Sequence, residues 1–147
     1  MTQPRFQPRD MLCFALYSAD HAMARLYRPL LTPLGLTYPQ YLVLVTLWAN
    51  DGQSVGALGE QLGLESSTLT PLLKRMEEAG LLTRTRSRED ERVVLATLTD
   101  KGRALEAEAG RIASCVLTAS GLSVPELIDL RNRIGALRDA IDAHTAS

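Results

Sequence analysis

Apolar residues recur at helical spacing near the start of the chain and predict an amphipathic helix from Met11 to Leu31. Pro29 and Pro33 are expected to end or kink this helix, because a proline inside a helix removes one backbone donor. A second helix is predicted to open at Thr37, since Thr37 and Gln40 have the spacing of a capping box. The side chains expected to face inward from it are Tyr41, Leu44, Val45 and Trp48.

Two shorter helices are predicted next, joined by a glycine turn. The first runs from Val55 to Leu62, Gly63 supplies the turn, and the second runs from about Ser66 to Ala79. The apolar stripes of the two helices are Leu58, Leu62, Leu69, Leu72, Leu73 and Met76. Two helices joined by a short turn form a helix-turn-helix, whose second helix can enter the major groove of DNA.

A β-hairpin is predicted after these helices. The segments Leu81 to Arg86 and Val93 to Leu98 are rich in leucine and β-branched residues, and the charged loop Ser87 to Arg92 lies between them. Thr99 can then cap a helix that is expected to run from Asp100 to about Leu117.

A second capping box, Ser123 with Glu126, opens a final helix to about His144. The predicted fold is therefore mainly α with one small β-hairpin. We expect residues 1–147 to form a single domain.

Composition and charge exclude several classes of function. The chain has 147 residues, a formal net charge of -1 and only two histidines and two cysteines. This supply is too small for a protein-only metal site or a disulfide framework, and no cofactor is expected. The apolar stretch Tyr41 to Trp48 is far shorter than the roughly 20 residues of a membrane helix, and the N-terminal segment is unlike a signal peptide. We therefore expect a cytoplasmic protein without a membrane segment.

Short hydroxyl side chains cluster where the second helix of the helix-turn-helix begins, and basic residues follow. The candidates to face the groove are Ser66, Ser67, Thr68 and Thr70, with Lys74 and Arg75 one turn later. Unpaired N–H groups at a helix N-terminus favour phosphate. Pro71 fits there if it lies within the first turn.

The hairpin adds a second set of basic candidates, which are Arg84, Arg86, Arg88 and Arg92. Arginine at a hairpin tip suits the narrow, negatively charged minor groove. Each feature alone has an ordinary explanation, since a Ser- and Thr-rich helix start can be a simple cap and a charged hairpin can be merely solvated. Together, and in this order, they favour a winged helix-turn-helix that binds DNA.

Five segments resemble the MarR family of bacterial transcriptional regulators, namely Ser54–Leu62, Leu69–Arg75, Glu78–Leu82, Arg88–Arg92 and Leu98–Gly102. The resemblance covers essentially the whole chain, from Met11 to the last helix. It implies a winged helix-turn-helix over about residues 37–98 and a homodimer formed by terminal helices, about residues 10–33 and 99–144. It also implies that the dimer binds double-stranded DNA at an inverted repeat. In that family, the arginine at the position of Arg92 enters the minor groove and the aspartate at the position of Asp90 helps to hold it.

The segment Met11–Tyr17, together with Leu36–Leu42, is similar to the branch of the family that senses organic hydroperoxides. The resemblance implies that Cys13 is the peroxide-reactive thiol and that Tyr17, Tyr27 and Tyr38 surround it, the last two from the opposite subunit. Members of the branch with a second cysteine form a disulfide across the dimer, a role that the resemblance gives to Cys115.

The residues around Cys13 agree with such a role. Cys13 and Tyr17 are spaced i,i+4 and share a helix face, and a position near a helix N-terminus favours a thiolate. Three alternatives stay open. Either thiol can be an inert buried one, the regulator can respond to a small phenolic or aromatic ligand instead, and the two cysteines can serve a thiol peroxidase. The wing has no role in an enzyme, so we expect none.

Overall fold

The chain is described from a computed structural model that covers residues 5–147. Residues 1–4, where the N-terminal segment examined for a signal peptide begins, lie outside the described residues. The chain forms two compact units, which divide after Glu108. Among the described residues, no single helix is both long and apolar enough to cross a membrane. Two pairs of consecutive helices, each pair bent at its junction, meet the length and composition expected of a span only when the two helices are taken together.

The first unit begins with helix α1, Leu12–Leu31, which follows a short 3-10 turn at Pro8–Asp10. The helix continues for two residues beyond Pro29 and ends before a second 3-10 turn, Thr32–Leu34, which holds Pro33. The prediction that the prolines end this helix is confirmed to within a few residues. Pro29 is tolerated because its missing N–H costs only one hydrogen bond near the last turn.

Helix α2 covers Tyr38–Ala49 and has the predicted capping box. The Gln40 amide donates to the Thr37 hydroxyl at 3.4 Å, and the Thr37 amide donates to the Gln40 side chain at 3.1 Å. The prediction that Val45 faces inward is wrong, since its side chain is 40% exposed whereas Val43 and Leu47 are fully buried. The buried arc of the helix is centred on Leu44 and Leu47, and Val45 lies outside it.

Helices α3, Val55–Leu62, and α4, Ser66–Glu78, form the predicted helix-turn-helix. The Ser54 hydroxyl caps α3 by accepting the Ala57 amide at 3.0 Å. Gly63 follows α3 with φ +66°, a left-handed conformation that side chains with a Cβ rarely adopt. The bounds predicted for α3 are therefore confirmed.

The predicted hairpin is present as β2, Leu82–Arg86, and β3, Val94–Leu98. The two strands are antiparallel and pair Leu82 with Leu98 and Arg86 with Val94. A third strand that the sequence did not indicate, β1 at Gln53–Ser54, pairs with the other side of β3. Two residues are too few to show an alternating pattern, which is why β1 escaped prediction.

The single helix predicted from Asp100 to about Leu117 is wrong. Helix α5 covers only Asp100–Ala104, a 3-10 turn covers Leu105–Glu108, and helix α6 covers Ala109–Ser120. The Trp48 indole donates to the Gly102 carbonyl oxygen at 2.9 Å. In an uninterrupted α-helix, the Gly102 carbonyl oxygen would accept the Glu106 amide. The indole competes for this oxygen at the point where the α-helix gives way to the 3-10 turn.

The second unit, Ala109–Ser147, contains α6 and helix α7, Val124–Thr145. The predicted capping box of α7 is confirmed, because the Glu126 amide donates to the Ser123 hydroxyl at 3.3 Å and the Ser123 amide donates to the Glu126 carboxylate at 3.1 Å. The fold is thus mainly helical with one small antiparallel sheet.

Gly102 provides a test of how α5 is seated. A Cβ at this position would overlap the Leu81 carbonyl oxygen, which also accepts the Thr99 amide at 3.1 Å. We expect Gly102→Ala to lower the free energy of unfolding by about 1–3 kcal/mol, measured by urea denaturation. Gly110→Ala is the control, since nothing lies within 4 Å of a Cβ there and alanine favours a helix by up to about 1 kcal/mol. Equal stability of the two variants would contradict the packing described.

Candidate nucleic-acid interface and thiol site

Helix α4 has one buried face and one exposed face. Its buried side chains are Leu69, Leu72, Leu73 and Met76. All seven predicted DNA-binding residues of the helix are exposed, namely Ser66, Ser67, Thr68, Thr70, Pro71, Lys74 and Arg75. Because the apolar stripe is buried, all seven candidate DNA-binding residues lie on the exposed side of the helix. We call this set the α4 polar face.

The hydroxyl groups of this face are not used as helix caps. The N-cap residue is Glu65, and no side chain forms a cap hydrogen bond there. The Thr68 and Leu69 amides donate to the Glu65 carbonyl oxygen, at 3.0 and 2.9 Å. The explanation of this helix start as a simple Ser/Thr cap is therefore wrong, and the hydroxyls point into solvent at the positive end of the helix dipole.

Pro71 is the sixth residue of α4 and lies beyond the first turn, so the condition under which it was expected to fit is not met. The helix continues to Glu78 regardless. Because proline has no N–H, it cannot donate to the carbonyl oxygen of Ser67 four residues earlier. That exposed carbonyl can accept a hydrogen bond from solvent or a ligand.

Arg84 of strand β2 is bound to helix α4. The carboxylate of Glu77 accepts the Arg84 amide at 2.7 Å and the guanidinium at 3.2 Å. The hydrogen bond from the Arg84 amide, with that from its side chain, lowers the pKa of Glu77. This contact, which we call the Glu77–Arg84 clasp, joins the hairpin to α4. The Arg84 guanidinium, which the sequence predicts to bind DNA, is therefore already paired with a carboxylate. Glu77 carried no signal in the sequence, because its partner lies on another element.

The other predicted arginines lie at the far end of the hairpin. Arg86 donates to the Glu91 carbonyl oxygen at 2.8 Å, and Arg88 is exposed at the tip. The carboxylate of Asp90 accepts the Arg92 guanidinium at 3.1 and 3.3 Å and the Arg92 amide at 3.1 Å. These hydrogen bonds lower the pKa of Asp90. The Arg92 side chain nevertheless stays 91% exposed, so it is oriented without being covered.

A groove of about 400 Å³ lies between α4, the start of α3 and the hairpin. Its polar lining comes from Ser54, Ser66, Thr70, Arg84 and Arg92. The fold thus brings the start of the α4 polar face and two of the four hairpin arginines, Arg84 and Arg92, to one surface, although they are distant in sequence.

Cys13 is the second residue of α1 and is exposed, and Tyr17 follows one turn later with 62% exposure. The neighbouring side chains of Leu12 and Phe14 are exposed as well. Within this chain, Cys13 is therefore not the buried inert thiol that composition alone would favour. Cys115 lies in α6 and is half-buried.

The other two predicted tyrosines are in contact with each other. The ring centroids of Tyr27 and Tyr38 are 4.9 Å apart, and the ring of Tyr41 lies 6.2 Å from that of Tyr27. Burial, with the neighbouring tyrosines, raises the pKa of Tyr27, and burial, with the Asp20 carboxylate, raises that of Tyr38. Both hydroxyls therefore remain protonated donors at neutral pH. The sequence indicates Tyr41 only as a core residue.

No group of three or more metal-ligating side chains occurs in the part of the chain that the structure describes. The candidate nucleic-acid interface consists of hydroxyl and cationic groups on α4 and the hairpin, and the candidate thiol site is the exposed Cys13 of α1. Such groups can recognise an anion and react with an oxidant.

The Glu77–Arg84 clasp should make stability depend on pH. Because the clasp lowers the pKa of Glu77, its contribution is present above the unfolded value near 4.5 and is lost as the pH falls through the lower folded value. We expect Glu77→Gln to reduce Tm at pH 7, and the difference from wild type to shrink as the pH falls below 4. The control is Glu78→Gln, which alters the exposed neighbouring carboxylate. A Tm difference independent of pH would contradict the clasp.

Comparisons with known proteins agree with this geometry. The family model for "Transcriptional regulator SarA/Rot" matches residues 25–108. The HTH-type transcriptional regulator TtmR of Methylorubrum extorquens is 46% identical over 138 residues, which cover 94% of this chain and 71% of that protein. The organic hydroperoxide resistance transcriptional regulator of Bacillus subtilis is 46% identical over 132 residues, which cover 90% of each chain.

A solved structure shows the same fold. Reduced AbfR bound to DNA superposes with a TM-score of 0.81 at 35% identity, covering 95% of this chain and 94% of that one. AbfR, from Staphylococcus epidermidis, is also known in a disulfide form, with a TM-score of 0.64 over 86% of this chain and 88% of that one. From its sequence and its fold, the chain belongs to the SarA/Rot-type, MarR-family winged-helix transcriptional regulators.

Proposed function

We propose that this chain is a repressor that binds an inverted-repeat DNA operator as a reduced homodimer and leaves it when an organic hydroperoxide oxidises Cys13. The observation that carries the proposal is the exposed Cys13 thiol in the first turn of α1, with Tyr17 on the same helix face. In this proposal the winged-helix fold binds the operator, and the Cys13 thiol reacts with the oxidant.

The α4 polar face enters the major groove in this proposal. The hydroxyls of Ser66, Ser67, Thr68 and Thr70 meet base edges and phosphate, and Lys74 and Arg75 contact the flanking backbone. Arg88 and Arg92, with Arg86 behind them, reach the minor groove, where narrow A·T-rich segments attract arginine. The Glu77–Arg84 clasp sets the distance between the two groups, because it ties β2 to α4.

The redox step balances with the hydroperoxide as the oxidant. The Cys13 thiolate attacks one peroxide oxygen, the O–O bond breaks, and the leaving alkoxide takes a proton to become an alcohol. Sulfur is oxidised by two electrons to a sulfenic acid. The Cys115 thiolate of the partner subunit then attacks that sulfur, the S–O bond breaks and hydroxide leaves as water once protonated, which closes a disulfide.

Disulfide formation can release DNA because its geometry is demanding. The two Cα atoms must come to about 4.4–6.8 Å, so α1 and the partner's α6 have to move if the reduced dimer holds them further apart. Two recognition helices must lie about 34–36 Å apart to meet successive major grooves. A helix shift that changes this spacing therefore weakens both half-sites at once.

Relatives support the choice of inducer. One relative is named for organic hydroperoxide resistance, and AbfR has been solved both reduced on DNA and with a disulfide. The exposed apolar side chains of Leu12 and Phe14 beside Cys13 favour an alkyl or aryl hydroperoxide over hydrogen peroxide.

Arg92 tests the wing. We expect Arg92→Ala to weaken DNA binding about ten-fold at 100 mM salt. It should also reduce the slope of log K against log salt by about one, because one cationic side chain near the phosphates is lost. Fluorescence anisotropy with a labelled operator duplex measures both quantities. Arg138→Ala, which removes an arginine paired with Asp139 on α7, is the control. Equal losses in the two variants would show that the wing does not bind DNA.

Cys13 tests the switch. In a gel shift with cumene hydroperoxide, we expect wild-type protein to leave the operator and Cys13→Ser to stay bound, because serine cannot form a sulfenic acid. Cys115→Ser should form the sulfenic acid but no intersubunit disulfide. If Cys13→Ser leaves DNA as readily as wild type, the thiol switch is refuted.

Two further measurements separate this function from two others. Release by a phenolic or aromatic ligand under full reducing conditions would indicate a ligand-controlled repressor. Sustained consumption of hydroperoxide with a thiol reductant, rather than one equivalent per site, would indicate a thiol peroxidase.

A further inference from the structure

A row of side chains on one face of α1 continues beyond the predicted thiol environment. Cys13, Tyr17 and His21 are spaced i,i+4,i+8 and therefore lie one above another along the helix. The ring centroids of Tyr17 and His21 are 4.2 Å apart, and those of Phe14 and Tyr17 are 6.4 Å apart. The Tyr17 ring thus has an aromatic neighbour on each side.

His21 is held by two different contacts. Its Nδ1 atom lies 2.8 Å from the carbonyl oxygen of Tyr17. A carbonyl oxygen can only accept, so Nδ1 carries the proton and donates. A ring fixed to the backbone in this way has few rotamers left, and it presents a stable surface to the tyrosine ring beside it.

Side chains in an α-helix lean toward its N-terminus. The Tyr17 ring therefore extends toward the turn that carries Cys13, and the His21 ring lies behind it on the C-terminal side. Tyr17 is 62% exposed, so within one subunit its rotation is restricted mainly by the rings of Phe14 and His21. A hydroxyl that must donate to a thiolate works best when its ring is already oriented.

We propose that His21 is a positioning residue that orients the Tyr17 ring so that its hydroxyl can donate to the Cys13 thiolate and to the charge that develops as the peroxide bond breaks. This inference rests on the proposed function, because it assigns His21 to the reaction of Cys13 with hydroperoxide. The contact with the Tyr17 ring is the part of His21 that matters, and the Nδ1 hydrogen bond serves to fix the imidazole.

The test uses the full chain with Cys115→Ser, so that the sulfenic acid accumulates, and traps it with dimedone after rapid mixing with cumene hydroperoxide. We expect His21→Ala to lower the second-order rate constant about three- to ten-fold. His21→Phe keeps a ring and should restore most of the rate, whereas His21→Asn keeps an N–H donor without a ring and should not. His144→Ala, which alters the only other histidine, should match the parent.

A double-mutant cycle separates positioning from a general structural effect. In a Tyr17→Ala background, the side chain that His21 orients is gone, so adding His21→Ala should cause no further loss. Additive losses, or failure of His21→Phe to restore the rate, would overturn the role of His21.

The two proposals fail in different ways. If the parent reacts rapidly with hydroperoxide and His21→Ala reacts equally fast, the role of His21 is wrong and the thiol switch stands. If the parent Cys13 reacts no faster than a free cysteine, the proposed function is wrong and the role of His21 is overturned with it.

Discussion

The burial of one side of helix α4 is the constraint on which the rest of the molecule depends. Leu69, Leu73 and Met76 are completely buried, and a helix fixed by three such side chains cannot rotate about its axis. Each would cost about 2–5 kcal/mol if truncated to alanine. This burial determines which side chains of α4 face outward. The Glu77–Arg84 clasp then fixes the position of the hairpin relative to α4. Recognition helix and wing are therefore positioned by one apolar core.

A net charge of -1 is compatible with this surface because electrostatic recognition is local. Exposed charges further apart than about 10 Å are largely screened at moderate salt, so any carboxylate beyond that distance has little effect on a phosphate at the wing. What matters is the immediate surroundings of each arginine. Arg92 is paired with Asp90, and this pairing orients its guanidinium. Because 91% of the Arg92 side chain remains exposed, the nearby carboxylate only modestly reduces its attraction to a phosphate.

Local signals in the sequence predicted most of the fold. Capping residues such as Thr37 and Ser123 act within three positions of themselves, and the apolar stripe of α4 acts within two turns, so these elements were predicted with nearly correct bounds. Features that depend on distant partners were not found. Strand β1 exists only because β3 lies beside it, the break after α5 involves Trp48, and Arg84 is engaged by Glu77. The residues of the candidate site, and the pairing of Asp90 with Arg92, were predicted from the sequence and the family resemblance, whereas the groove and the engagement of Arg84 required the tertiary contacts.

In the proposed mechanism, oxidation joins Cys13 of one subunit to Cys115 of the other in a disulfide. Non-reducing mass spectrometry of the protein after one equivalent of cumene hydroperoxide tests it most directly, because digestion identifies both partners of each sulfur bond. We expect a covalent dimer whose cross-linked peptides contain Cys13 and Cys115. A monomer in which Cys13 remains a free thiol after the hydroperoxide is consumed would contradict it.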